Sequence, residues 1–262
     1  MHFTKMQGLG NDYLYVYGEV PENIAALSQK LSDRHFGAGA DGMIYISPSG
    51  IADFKMRIFN ADGSEAMMCG NGIRCVGKYV YDKGYTDKTN LKIDTLSGVK
   101  LLRLQVSGGK VKSVSVSMGK AETHPEQTLT INGKSITYTP VSVGNPHAVF
   151  FVENVEAVPP ESLGPIIEHH PDFPGGVNVE FVEVRSETEL RMRVWERGSG
   201  VTMACGTGSC ASAAAAVQKK YCRHGKPLSV ELDGGTLEIK VESDGSVTMT
   251  GPAEFVYEGE TI

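Results

Sequence analysis

Two cysteines stand in closely similar surroundings at distant points of the chain. Cys69 and Cys205 each open a tetrad of the form Cys-Gly-x-Gly, and they lie 136 positions apart (205 less 69). Apolar residues recur at helical spacing after the first tetrad and an alanine-rich run follows the second, so each cysteine is predicted to stand exposed at the start of a helix. A helix N-terminus lowers the pKa of a thiol and favours the reactive thiolate. The pattern therefore indicates two reactive thiols in equivalent places.

The repetition extends beyond the cysteines. An arginine-led segment ends nine positions before each of them, and two further stretches upstream also align. The aligned pairs are 57–60 with 193–196 and 39–44 with 175–180 at the offset of 136, and 10–12 with 144–146 at an offset of 134. We interpret this order of matches as an internal duplication.

The duplication predicts an α+β fold with two pseudo-symmetric halves, each a mixed β-sheet closed around a central helix, and an active site in the cleft between them. The first half is predicted to hold residues 1–117 together with 251–262, and the second to hold 118–250. Periodicity of the apolar residues gives the elements within each half. Strands are expected at 54–59, 111–118, 190–195 and 237–241, a hairpin at 95–106, and helices at 21–32, from the first tetrad to Gly84, and at 209–220.

Two similar thiols in a duplicated fold suit the inversion of a carbon centre. Inversion requires one group to remove a proton from one face of the carbon and a second group to deliver a proton to the other face. One cysteine would act as the thiolate and the other as the thiol, with the roles exchanged in the reverse direction. The glycines after each cysteine leave backbone N–H groups that can hold an anion such as a carboxylate.

Composition excludes several other classes of protein. The net charge is −6 with no basic run, which argues against a nucleic-acid partner. No apolar stretch approaches the ~20 residues of a membrane span, and the first residues lack a signal-peptide pattern, so no membrane is expected and the predicted location is the cytoplasm. Five cysteines without a C-x-x-C pair indicate thiols and no metal site, and three of them are expected to be packing residues: Cys75, Cys210 and Cys222.

Short motifs follow one another along almost the whole chain. They are FTKMQGLGND at 3–12, RIFNADGSE at 57–65, CGNGIRC at 69–75, GNPH at 144–147, GVNVEF at 176–181, WERGSG at 195–200, ACGTG at 204–208, and GPAE at 251–254 followed by Val256 and Tyr257. Each motif is short, but together and in this order they are specific, and the chain they define resembles the diaminopimelate epimerase family.

This resemblance implies a reaction and a set of roles. LL-2,6-diaminopimelate would be converted to the meso form without pyridoxal phosphate, metal or other cofactor. The reaction would supply precursors of lysine and peptidoglycan, and the enzyme would be a homodimer. Cys69 would be the base toward the LL substrate and Cys205 the acid, with His147 and Glu196 tuning the two thiols. Residues implied to hold the reacting carboxylate are Gly70, Asn71, Gly206 and Thr207, and those implied to bind the amines and the distal carboxylate are Asn11, Asn60, Asn145, Asn178, Glu196 and Arg197. A dimer contact is implied for Tyr257.

That binding set suits a substrate with two ammonium and two carboxylate groups, because Arg197 can fork onto a carboxylate and asparagines offer both donors and acceptors. One residue departs from the family pattern: many members carry glutamine where this chain has Gly42, so recognition of the reacting amine is expected to differ.

The residues by themselves leave other interpretations open. A racemase of proline or hydroxyproline with two thiols would use the same duplicated fold, although the polar binding set argues against a small apolar substrate. A redox protein that joins Cys69 to Cys205, or a binding module for a diamino acid, would also fit. His147 could equally be a core histidine bonded to the backbone.

Overall fold

The computed structural model describes residues 1–261, which form two compact units. One unit comprises Met1–Val116 together with 251–261, and the other comprises Ser117–Thr250. Residue 262, which the sequence also predicts for the first half, lies outside the described residues. Strands dominate both units, and the α+β class expected from the sequence is confirmed. Among residues 1–261, no helix has the length and apolar composition needed to cross a membrane.

The elements follow one another in an order that repeats. The strands are β1 (His2–Gly8), β2 (Asn11–Tyr17), β3 (Gly42–Pro48), β4 (Phe54–Asn60), β5 (Glu65–Ala66), β6 (Asn90–Asp94), β7 (Lys100–Ser107), β8 (Lys110–Lys120), β9 (Glu122–Thr123), β10 (Gln127–Ile131), β11 (Lys134–Ser142), β12 (Pro146–Phe151), β13 (Asn178–Ser186), β14 (Glu189–Glu196), β15 (Gly200–Val201), β16 (Pro227–Leu232), β17 (Gly235–Val241), β18 (Ser246–Gly251) and β19 (Glu254–Glu260). The helices are α1 (Ile24–Ser32), α2 (Gly70–Asp82), α3 (Pro160–Glu168) and α4 (Gly206–Gln218), with a short 3₁₀ helix at Val155–Ala157.

Strand pairing in the first unit begins with β1 antiparallel to β2 and β2 parallel to β3, with α1 in the crossover. β3 is antiparallel to β4, which pairs antiparallel with β5 and parallel with β6 across α2. β6, β7 and β8 continue antiparallel, and β19 closes onto β1.

The second unit repeats this connectivity strand by strand. β11 is antiparallel to β12, β12 parallel to β13 with α3 in the crossover, and β13 antiparallel to β14. β14 pairs antiparallel with β15 and parallel with β16 across α4, and β16, β17 and β18 continue antiparallel. The duplication interpreted from the sequence is therefore present in the fold.

The helix that follows each tetrad is central to its unit. α2 and α4 are both 13 residues long, and residues 70–80 of α2 and all but one of residues 206–217 of α4 are buried. α4 consists mainly of alanine, serine and glycine, so its thin surface packs against β9, β11–β14, β16 and β17. α2 packs against β1, β2 and β7. A sheet around a central helix is thus confirmed in both units.

Two local differences from the sequence expectation have simple causes. α1 begins at Ile24 and not at residue 21, because the Ile24 N–H donates to the Pro21 carbonyl in a turn (3.2 Å) and Asn23 is the N-cap residue. The expected hairpin begins before residue 95, because its two strands are β6 (Asn90–Asp94) and β7 (Lys100–Ser107) and residues 95–99 form its turn. Its turn contains Gly98 at φ +92, whose N–H donates to the Thr95 carbonyl at 2.9 Å.

Candidate active site

Each thiol of the repeated tetrads caps the helix that follows it. Cys69 is the N-cap residue of α2, and its Sγ accepts the N–H of Gly72 at 3.3 Å. Cys205 caps α4 in the same way, accepting the N–H of Gly208 at 3.3 Å. A side-chain acceptor at the N-cap satisfies a backbone donor that the helix leaves unpaired, and it places sulfur in the positive field of the helix end. The expected placement of both cysteines at helix starts is confirmed.

A side chain on the fourth residue of each tetrad would crowd a neighbouring buried side chain. A Cβ built on Gly72 would lie 2.7 Å from Ile44 Cδ1, and one on Gly208 would lie 2.8 Å from Glu180 Oε1 and 3.2 Å from Cys205 Sγ. Glycine at these positions therefore lets the helix N-terminus approach both the sheet and the sulfur.

An amide and a carboxylate support the thiol in the first unit. The Cys69 thiol donates to Asn11 Oδ1 at 3.2 Å, and Asn11 Nδ2 donates to Asp41 Oδ2 at 2.7 Å. Arg34 in turn donates to Asp41 Oδ1 at 3.0 Å and to Asp12 Oδ1 at 2.8 Å. Because the carboxylate of Asp41 accepts only, it holds the Asn11 nitrogen toward itself and the Asn11 oxygen toward the sulfur.

Two buried groups on β2 carry perturbed pKa values. Burial raises the pKa of Tyr13 well above its usual value, and the negative charges of Cys69 and Asp41 raise it further. Burial also works against ionisation of Asp12, but hydrogen bonds from Arg34 and Lys5 outweigh it, so the pKa of Asp12 is lowered. Tyr13 is therefore a neutral neighbour of the thiol, whereas Asp12 is ionised and held by the cations of Arg34 and Lys5.

The remaining residues implied for the first unit lie at the ends of β4 and β3 and in the first turn of α2. Asn71 is buried, and its Oδ1 accepts from Arg74 Nη1 at 3.0 Å, while the Arg74 guanidinium also donates to the Gly70 carbonyl at 3.3 Å. Asn60, the last residue of β4, donates to Ser64 Oγ at 3.1 Å. Gly42 pairs with Asn60, and a Cβ there would lie 2.2 Å from the Phe59 carbonyl oxygen.

In the second unit a chain of hydrogen bonds leads from a buried carboxylate to the thiol. Glu180 Oε1 lies 2.7 Å from His147 Nδ1, and His147 Nε2 lies 3.0 Å from Asn145 Oδ1. Asn145 Nδ2 donates to Thr207 Oγ1 at 3.4 Å, and Thr207 Oγ1 lies 3.6 Å from Cys205 Sγ. His147 is buried, and both of its ring nitrogens contact side chains and not the backbone.

The environment of Cys205 differs from the sequence expectation. The residue was expected to be exposed with a lowered thiol pKa, but it is only 4% exposed. Burial raises its pKa well above the usual value, the carboxylates of Glu196 and Glu180 raise it further, and the donors Thr207 and Gly208 only partly oppose the shift. The expectation was wrong for this thiol because desolvation and two carboxylates outweigh the helix N-terminus. Cys69 is half-buried.

Glu196 is a carboxyl group beside this thiol. Burial raises its pKa, while hydrogen bonds from the Thr202 hydroxyl and from Cys205 oppose that rise without cancelling it. Thr202 Oγ1 donates to Glu196 Oε1 at 2.5 Å. The side chain therefore lies where it can influence the proton on Cys205.

Two further residues of the implied binding set are joined through the backbone. Asn178 Nδ2 donates to the Pro146 carbonyl at 2.9 Å, and its Oδ1 accepts the Arg197 N–H at 3.1 Å. The Arg197 side chain is exposed and donates to the Gly175 carbonyl at 3.2 Å. Tyr257 is on β19, where its hydroxyl donates to the Ala38 carbonyl at 2.9 Å, apart from these groups.

The sequence pattern missed several supporting residues, among them one carboxylate in each unit and a hydroxyl. Asp41, Glu180 and Thr202 each contact a residue of the implied set directly. Glu180 could have been noticed as a charged residue within an otherwise apolar stretch of β13, whereas the other two carry no comparable signal. Among residues 1–261, no cluster of three or more His, Cys, Asp or Glu side chains is arranged to hold a metal ion.

Comparison with known proteins defines first the fold class and then the family. A probable proline racemase from Agrobacterium radiobacter K84 is 17% identical with a TM-score of 0.75, covering 100% of this chain and 92% of that chain, so the two share a fold. A family model described as diaminopimelate epimerase matches residues 3–124 and 139–256. The diaminopimelate epimerases of Acetivibrio thermocellus and Methanococcus maripaludis C5 are 51% and 52% identical over 276 residues, which cover 99% of this chain and 98% and 99% of those relatives. The chain therefore belongs to the diaminopimelate epimerase family.

Proposed function

We propose that this protein is an isomerase that interconverts LL- and meso-2,6-diaminopimelate by a two-thiol mechanism without pyridoxal phosphate. The observation that carries the proposal is the presence of Cys69 and Cys205 as N-cap residues of equivalent helices in two copies of one fold. Family membership supplies the substrate.

The proposed reaction moves one proton from the substrate carbon onto a thiolate and another proton from a thiol onto that carbon. From the LL side, Cys69 as thiolate removes the α-proton, and Cys205 as thiol delivers its proton to the opposite face of the same carbon. The raised pKa of Cys205 supports its role as the acid, because the group then keeps its proton at neutral pH. In the reverse direction the two roles are exchanged.

The charge that develops on the reacting carboxylate needs donors already in position. Backbone N–H groups of Gly70 and Asn71, and of Gly206 and Thr207, lie in the first turns of α2 and α4, where such donors point away from the helix. These four residues are proposed to hold the reacting carboxylate.

The rest of the proposed binding set supplies the charges that match a diamino dicarboxylic acid. The exposed guanidinium of Arg197 suits the distal carboxylate, and the Glu196 carboxylate suits an ammonium group. Amides for the remaining polar groups are Asn11, Asn60, Asn145 and Asn178, while His147 tunes the thiol chemistry. A cytoplasmic location and a homodimer with Tyr257 at its contact complete the proposal and rest on the family resemblance.

The deciding experiment follows LL-diaminopimelate in D₂O under reducing conditions, with no added cofactor. During the first turnovers, the meso product is expected to carry deuterium at the inverted carbon while the remaining LL substrate keeps its protium, because separate thiols remove and deliver the protons. Transfer of the substrate's own proton into the product would contradict the two-thiol mechanism and indicate a single base.

Variants separate the proposal from its rivals. Cys69→Ala and Cys205→Ala are each expected to abolish meso product, while Cys222→Ala, which replaces a buried thiol outside the set, keeps the activity. Turnover of proline in place of diaminopimelate would support the racemase alternative. Tight binding without isotope exchange would support a binding module, and a requirement for the oxidised Cys69–Cys205 form would support a redox protein.

A further inference from the structure

Glu180 is a carboxylate buried where the fold gives it little compensation. It lies on β13 between Val179 and Phe181, with no exposed surface. Its Oε1 contacts His147, whereas its Oε2 is buried without a hydrogen-bond partner among residues 1–261. Burying a carboxylate with an unsatisfied oxygen costs stability, so a group retained there has a reason beyond packing.

Both ring nitrogens of His147 lie against side-chain oxygens. Nδ1 faces a carboxylate oxygen of Glu180 and Nε2 faces the amide oxygen of Asn145, and both of these are acceptors. Only a ring that carries a proton on both nitrogens can donate both hydrogen bonds. The other groups near it are Glu196 from β14, Asn178 paired beside it on β13, and the apolar Val141 paired on its other side on β11.

The orientation of one amide then fixes the hydroxyl beside the thiol. With its oxygen held by the His147 ring, Asn145 presents Nδ2 to Thr207 Oγ1 and donates to it. A hydroxyl oxygen that accepts this hydrogen bond keeps its own proton available, and the nearest sulfur is Cys205 Sγ at 3.6 Å. Thr207 is thereby directed to donate toward the sulfur.

The first unit shows that the fold itself does not require this carboxylate. Residue 44 occupies the position equivalent to 180, at the same offset of 136, and is an isoleucine packed against Gly72 as Glu180 is against Gly208. Tyr13 stands in the first unit where His147 stands in the second, at the offset of 134. An apolar residue therefore suffices to complete the same strand and helix contact.

We infer that Glu180 is a positioning residue for the reaction at Cys205. Its carboxylate holds His147 doubly protonated, which fixes the amide of Asn145 and directs the Thr207 hydroxyl proton to the Cys205 sulfur. The inference rests on the proposed function, but the protonation of His147 is measurable without any turnover.

The test is nitrogen-15 NMR of the histidine rings together with turnover. The His147 signals are identified by their loss in His147→Gln. In the unaltered protein at neutral pH, His147 is expected to show N–H cross peaks from both ring nitrogens. In Glu180→Gln, which keeps the side-chain volume and an acceptor oxygen, one of the two is expected to disappear and turnover to fall about ten- to hundredfold, since a hydrogen bond to a charged sulfur is lost.

Glu183→Gln is the matched control, because it removes a carboxylate from the same strand whose Oε2 accepts the Val155 N–H and contacts none of these groups. It is expected to keep both His147 signals and full turnover. A single N–H signal in the unaltered protein, or unchanged signals and turnover in folded Glu180→Gln, would overturn the inference. Absence of diaminopimelate turnover in the unaltered protein would instead refute the proposed function and leave the NMR result standing.

Discussion

Replacing Gly164 by alanine tests the packing of the second unit against the intrinsic preference of a helix. Gly164 lies inside α3, where alanine is favoured over glycine by about 1 kcal/mol. However, a Cβ at this position would lie 2.3 Å from Trp195 Cγ and 2.5 Å from Trp195 Cβ. These atoms belong to the base of a large side chain, so the indole or the helix has to move.

The magnitude follows from the two displaced contacts. Overpacking of this kind costs about 1–3 kcal/mol. Movement of the indole also weakens the hydrogen bond from Trp195 Nε1 to Glu168 Oε2, now 2.7 Å, and a bond to a carboxylate contributes about 1.5–3 kcal/mol. After subtracting the helix preference, we expect the free energy of unfolding to fall by about 1.5–5 kcal/mol.

The assay is urea unfolding followed by tryptophan fluorescence, since Trp195 is the sole tryptophan and reports the second unit. Gly175→Ala is the matched control, because a Cβ at Gly175 meets nothing within 4 Å and its φ is not positive. That control is expected to change stability by less than about 1 kcal/mol. If Gly164→Ala were as stable as Gly175→Ala, or more stable, the reasoning from the Trp195 contact would be refuted.

Three further changes have expected outcomes that circular dichroism in urea can measure. Gly42→Ala should lower the free energy of unfolding by about 2–4 kcal/mol, because its Cβ would lie 2.2 Å from the Phe59 carbonyl oxygen of β4. Gly50→Ala, whose Cβ would meet nothing within 4 Å, should not lower it, and equal stability of the two variants would argue against the contact. Burial raises the pKa of the Cys75 thiol from 9.0 to about 11, so its folded form keeps a proton that the unfolded chain releases. Stability present below pH 9 is then lost as the pH rises to 11, and Cys75→Ala should lose about 3 kcal/mol less over that range. Identical pH slopes of the two proteins would contradict this expectation. Lys78→Met should lower the free energy of unfolding by about 3–5 kcal/mol, because it leaves the buried Asp82 carboxylate without the ammonium now 2.8 Å away. Adding Asp82→Asn should recover part of this loss, and no recovery would show that the unpaired charge is not the cause.

The duplication was visible in the sequence because chemistry and backbone constraint coincide in the tetrads. Each needs a sulfur at the N-cap and a glycine three residues later, so both copies kept the same letters at the same offset. Repeated letters therefore predicted repeated connectivity, and the fold confirms it. The central place of α4 was also predictable, because an alanine-rich helix has small side chains and can sit inside a closely wrapped sheet.

The sequence did not predict the difference between the two thiols. Both tetrads carry the same helix-start signal, so equal exposure and equally lowered thiol pKa values were expected. The second copy buries its thiol near Glu180 and Glu196, which are distant from it only in the sequence. Once water is removed, the charges of such neighbours change the pKa of the thiol. The residues that supply this environment come from separate strands, and their approach is a property of the tertiary structure.

The order of synthesis delays the pairing of β19 with β1. β1 is made first, yet its antiparallel partner Glu254–Glu260 leaves the ribosome only after the whole of residues 117–250. The second unit has all its strands while one edge of β1 is still open. An open strand edge can pair with another chain, so this interval is when the nascent protein is most exposed to misassociation.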